Sequence, residues 1–120
     1  MEFQTSQPIF VQIYDLICDM ILREELHSGE QIPSVRDLAV RLQVNPNTVM
    51  RAIERLAGKE IINSRRGLGY FVTESALSTI RAERHNRLLE EYLPRLIEEM
   101  HLLGIQIEEV TKEIEKRLNS

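Results

Sequence analysis

A single cysteine, Cys18, leaves nothing to pair with inside the chain. A disulfide framework is therefore excluded, and a reducing, cytoplasmic setting is expected. No apolar run approaches the roughly eighteen residues that a membrane-spanning helix needs, and the opening "MEFQTSQP" lacks the basic-then-apolar order of a signal peptide. The expectation is a chain without a membrane partner. Internal repeats and low-complexity tracts are absent as well, so a solenoid or a disordered tail is not indicated.

The raw materials of catalysis are thin. His27, His85 and His101 lie far apart in ordinary charged surroundings, so neither a metal site nor a catalytic histidine is indicated. "RGLGYF" has two glycines but not the strand-turn-helix context of a phosphate loop. No catalytic residue, metal or cofactor is expected.

Basic charge is also scarce: 15 Lys and Arg stand against 19 Asp and Glu, a net charge of −4. Taken alone, that balance disfavours a nucleic-acid partner. Its distribution reverses the conclusion. Between Ser34 and Tyr70 stand seven basic residues (Arg36, Arg41, Arg51, Arg55, Lys59, Arg65, Arg66) and three acidic ones (Asp37, Glu54, Glu60), a local excess of four. Any electrostatic footprint is a patch in this segment.

What is present is periodic. Ile9, Ile13, Leu16, Ile17, Met20 and Ile21 recur at helical steps after Pro8, which predicts a first helix running to about Leu26. "HSGEQIP" is turn punctuation. Ser34 is an N-cap for a short second helix, about Val35 to Leu42, with Asp37 placed to reach back in a capping-box-like arrangement. Asn45 caps a third helix that begins at Pro46, buries Val49, Ala52, Ile53 and Leu56, and ends at Gly58. "EIINSRR" and "YFVTE" flank a glycine-bearing turn and predict a hairpin. Helix, helix, helix, hairpin is the order of a winged helix-turn-helix. The fold class is thus mainly α with a small β-hairpin.

On the third helix, Asn47, Arg51 and Arg55 form an outward stripe with Thr48 beside them. Amides and guanidinium groups are the side chains that read base edges and grip phosphates, and a helix N-terminus offers free N–H groups to a phosphate. The candidate DNA-binding set is Ser34, Arg36, Asn45, Asn47, Thr48, Arg51, Arg55, Arg65, Arg66, Gly67 and Gly69. Capping alone accounts for Asn45. Strand alternation sends one of Arg65 and Arg66 away from the partner, and Arg66 is the expected phosphate contact. A winged-helix module that binds protein, with its basic face merely solvated, is the alternative.

"PIFVQI", "GEQIPSVRDLA", "VNPNTVMRA" and "RRGLGYFV" together resemble the DNA-binding domain of the GntR family of transcription regulators, from Pro8 to about Thr73. The resemblance implies a homodimer on a palindromic double-stranded operator, the third helix in the major groove and the wing tip at the minor groove. It implies that Arg36 contacts DNA, that Asn47 and Thr48 occupy base-reading and phosphate-contacting positions, and that Gly67 and Gly69 are wing-tip glycines. Many members carry arginine where Met50 stands, whereas here Arg51 follows it.

The division expected is a DNA-binding domain over residues 8–74 and a C-terminal helical dimerisation segment over 75–120. That segment carries an apolar stripe interrupted by Pro94 and Gly104, where a kink or break is expected. Leu89, Leu93, Leu96, Met100, Leu103, Ile107, Val110 and Ile114 are its candidate dimer interface. Its shortness resembles the YtrA-like subfamily, which implies repression of ABC-transporter genes and leaves open whether a small-molecule effector binds.

Overall fold

Pro8 opens helix α1 (Ile9–Leu22), which turns Ile13, Ile17 and Ile21 inward at successive helical steps. The computed structural model describes residues 7–120. α1 stops four residues short of the expected Leu26. Glu24 adopts a left-handed φ of 60°, and the N–H groups of Glu25 and Leu26 turn back onto the Met20 carbonyl at 2.9 and 3.2 Å. This closure returns Leu26 to the core.

Helix α2 (Val35–Leu42) begins where its cap predicts, with Ser34 Oγ accepting from the Asp37 N–H at 3.1 Å. Helix α3 (Pro46–Gly58) likewise starts at its proline and buries Val49, Ala52, Ile53 and Leu56. It ends at Gly58 as expected, but the turn that closes it is not made by the glycine. Gly58 is the last helical residue, and the left-handed position belongs to Glu60 (φ 59°), after which the Ile61 N–H reaches the Leu56 carbonyl at 3.0 Å. That terminal bond is the kind a glycine normally permits, formed here around a glutamate.

Strands β1 (Ile62–Arg65) and β2 (Gly69–Val72) pair antiparallel, from Ile62 opposite Val72 to Arg65 opposite Gly69. Residues 29–32 run along the other edge of β2. The Gly29 N–H donates to the Val72 carbonyl (2.8 Å), Val72 N–H to Glu30 (2.9 Å) and Ile32 N–H to Tyr70 (3.0 Å). The turn expected before α2 therefore doubles as a short third strand that docks the hairpin on the helices. Ile62, Val72 and Ile32 complete the core from this side.

Helix α4 (Ala76–Arg87) contributes Ala76 and Ile80 to that core. The first compact unit ends at Ala82, and Glu83–Ser120 form a second. In the second, a π-helical turn (Leu88–Tyr92) precedes α5 (Leu93–Leu103), and Gly104, at φ 68°, separates α5 from α6 (Ile107–Leu118). The π turn sits where Pro94 lacks an N–H and its ring crowds the carbonyl one turn back, so a wider turn absorbs the misfit. No residue of the π turn, α5 or α6 is buried. Among the described residues, no helix is long and apolar enough to cross a membrane.

Candidate nucleic-acid interface

α3 shows one face to the core and the other to solvent. Asn47, Arg51, Glu54 and Gly58 are exposed opposite the buried Val49, Ile53 and Leu56. Asn45 spends its Oδ1 on the Asn47 N–H at 2.8 Å, so it acts as the cap that its position predicts. That cap changes the expected phosphate grip. Pro46 has no N–H, Asn47 is capped, and the Thr48 and Val49 N–H groups bond the Asn45 carbonyl at 2.9 and 3.3 Å. The first turn of α3 has no free N–H to offer, and only the helix dipole favours an anion there. At α2 the same accounting gives the opposite result. Val35 and Arg36 keep unbonded N–H groups among the described residues, beside the exposed Arg36 side chain. The N-terminus with free N–H groups of the kind that suit an anion is that of α2.

The arginines of α3 are not loose. The Arg51 and Arg55 guanidinium groups lie 4.1 and 4.8 Å from the centroid of Phe10, and Lys59 stands 5.0 Å from that of Tyr14. Phe10 and Tyr14 are four residues apart on α1, and the three cations follow at four-residue steps along α3 and its C-cap, Lys59. The two helices thus meet in a ladder of cations on rings, each rung contributing about 0.5–1 kcal/mol at an exposed site. Stacking on a ring face leaves the guanidinium N–H edges available. Arg51 and Arg55 both lie over Phe10 of α1, Arg51 the closer, so the outward stripe is narrower than helical spacing alone suggests.

On the hairpin, Arg65 stacks on Phe71 at 4.0 Å. Arg66, Gly67 and Leu68 form the tip, closed by the Leu68 N–H on the Arg65 carbonyl at 2.9 Å. Arg36 and Arg66 have no ion-pair partner among the described residues, and neither Asp37 nor Glu60 neutralises an arginine. Phe10, Tyr14 and Phe71 are the site residues that sequence reasoning passed over. The i, i+4 aromatic pair in "FVQIY" facing an i, i+4, i+8 basic series was the available signal.

Residues 10–72, more than half of the chain, match the family model described as bacterial regulatory proteins, gntR family. This chain belongs to the GntR family. Over 113 residues it is 38% identical to the HTH-type transcriptional regulator YhcF of Bacillus subtilis, spanning 94% of this chain and 92% of that one. It is 34% identical over 107 residues to the HTH-type transcriptional repressor YtrA of the same organism, covering 89% and 82%. A GntR family transcriptional regulator from Listeria monocytogenes superposes with a TM-score of 0.78 at 34% identity, covering 95% of this chain and 98% of that one. The GntR chain described here is a DNA-binding transcription regulator with a winged helix-turn-helix, and its relatives are regulators of transcription rather than enzymes.

Proposed function

We propose that this GntR protein is a repressor that binds a palindromic operator as a homodimer. The observation that carries the reading is the exposed pair Asn47 and Arg51 on α3's solvent face, with Arg36 at the α2 N-terminus and Arg66 at the wing tip both exposed and without an ion-pair partner among the described residues. Amide and guanidinium side chains of this kind read adenine and guanine edges, and the outlying arginines suit phosphates. Residues 8–74 hold this surface. Of the candidate set, Asn47 and Arg51 read bases; Ser34, Arg36, Thr48, Arg55, Arg65 and Arg66 grip or flank the backbone; Asn45 caps α3; Gly67 and Gly69 shape the tip.

Residues 75–120 bring two copies together. Leu89, Leu93, Leu96, Leu103, Ile107 and Ile114 are exposed and Met100 and Val110 half-buried, a stripe that a lone chain leaves in water. An open groove of about 450 Å³ between α5 and α6, lined by Leu96, Ile105, Val110 and Ile114, suits the apolar side chains of a second copy. Two reading heads related by a two-fold axis require a two-fold symmetric site. Repression follows the function named for the similar YtrA, and transporter genes are the proposed targets. The test is selection of duplexes from a random pool, then footprinting of the enriched sequence. An inverted repeat protected symmetrically supports the reading, and an asymmetric single site overturns the dimeric part of it.

A further inference from the structure

Gln31 sits in the loop before α2, exposed to solvent, in a position that turn chemistry alone explains as punctuation. The fold gives it more to do. It pairs with Phe71 across the outer edge of β2, which places it on the same face of the small sheet as Gly69. From there its side-chain Nε2 donates to the Leu68 carbonyl at the wing tip, 37 residues away in sequence. Gly69 makes room for this approach. A Cβ at that position would lie 2.8 Å from Nε2, and the backbone there has a φ of +106°.

The tip needs such a tie. Two glycines at positive φ, Gly67 and Gly69, make it conformationally permissive, and a two-stranded hairpin is marginal by itself. The Leu68 side chain is 61% exposed and anchors nothing. Its backbone is instead held from both sides: the N–H by the Arg65 carbonyl, and the carbonyl by Gln31. The strand that carries Gln31 leads through Ile32, buried in the core, directly into Ser34 and Arg36. Wing tip and α2 are therefore referenced to one short stretch of backbone.

We propose that Gln31 is a positioning residue of the wing, whose amide holds the Leu68 carbonyl and so sets the hairpin tip in its DNA-contacting shape before DNA arrives. The proposal rests on the DNA-binding reading. Removing the donor while keeping the size, as Gln31→Leu, leaves the core and α3 untouched and frees the tip. One neutral hydrogen bond of preorganisation corresponds to about a fivefold loss of affinity.

The experiment uses the full chain and a duplex enriched from a random pool by the wild type. Gln31→Leu and Gly69→Ala, which evicts the same amide by a different route, are each footprinted at saturating protein. Both are expected to bind about fivefold more weakly and to lose hydroxyl-radical protection in the minor groove beside the wing. Methylation protection in the major groove under α3 should stay close to wild type in both, as should the melting temperature of Gln31→Leu, whereas Gly69→Ala, at a φ of +106°, is expected to melt lower. In the free variants, amide relaxation at residues 67–69 should show increased mobility. Retention of wild-type affinity and wing protection by Gln31→Leu overturns the proposal, and so does loss of both footprints in step, which would mean a general folding defect. A wild type that enriches no duplex overturns the DNA reading itself and the proposal with it.

Discussion

Ile53 and Leu103 are both large aliphatic residues on the inner stripe of a helix, yet Ile53 is sealed completely and Leu103 is 66% exposed. The same contrast separates the two units throughout. α1 to α4 and the hairpin enclose a continuous core from Ile13 to Ile80, whereas α5 and α6 have apolar stripes as regular as those of α3 and bury nothing. Periodicity therefore predicts which face is apolar but not what covers it. In the first unit the cover is the chain itself, and in the second we propose that it is another copy.

The sharpest way to break this comparison is to truncate one residue on each side. Ile53→Ala should cost about 2–5 kcal/mol of unfolding free energy, because the sealed site leaves a cavity. That loss should be independent of protein concentration in denaturant titrations. Leu103→Ala should instead produce a loss that vanishes at low protein concentration and grows toward a plateau as concentration rises, since it acts through association. A concentration-independent loss at Leu103 would mean that α5 is covered within its own chain.

A charge sharpens the same point. Met100→Glu should convert dimers to monomers at micromolar concentration in sedimentation, with the melting of the first unit unchanged. On the reading surface, Asn47→Ala or Arg51→Ala should cost about 1–3 kcal/mol on the selected operator and flatten base preference at one position per half-site. Asn45→Ala, two residues before Asn47, should leave base preference intact and lower stability by about 1 kcal/mol, the cost of a lost cap. Arg66→Ala should reduce the slope of log affinity against log salt by about one unit, as expected when one phosphate contact is lost.

The smallest effect belongs to the loop before α2. A hydrogen bond with the His27 ring, at 2.5 Å, and another from the His27 backbone N–H, at 2.9 Å, hold the Glu30 carboxyl below its ordinary range. A carboxyl so depressed adds stability above its unfolded pKa, and that stability is lost as pH falls through the lower folded value. Glu30→Gln should therefore lower stability slightly at neutral pH and flatten the acid limb of a stability-against-pH curve, the two curves meeting at low pH.

Legibility in the sequence followed the chemistry of the helix ends. α2 and α3 begin where Ser34 and Asn45-Pro46 place them, because a cap or a proline acts within one turn and needs no distant partner. The end of α1, and the turn that follows α3, were not legible. Each turns on a glutamate in the left-handed region, Glu24 or Glu60, a conformation that tertiary packing imposes on a residue with no local preference for it. The solvent face of α3 was legible from helical spacing, but the free N–H groups lie at the start of α2 and not of α3, since the cap that marks α3 also consumes its donors. The rings under the arginines and the tie from Gln31 to the wing depend on contacts between residues roughly 35 to 45 positions apart, which no local pattern encodes.

The most direct test of the account combines the two units in one measurement: the number of chains bound to a single selected duplex, counted by sedimentation, for the wild type and for Met100→Glu. The account predicts two wild-type chains per duplex, bound together across an inverted repeat. It predicts that Met100→Glu binds the same half-sites singly and far more weakly, while keeping wild-type base preference in each. One wild-type chain per duplex, or Met100→Glu binding as tightly and as a pair, would contradict it.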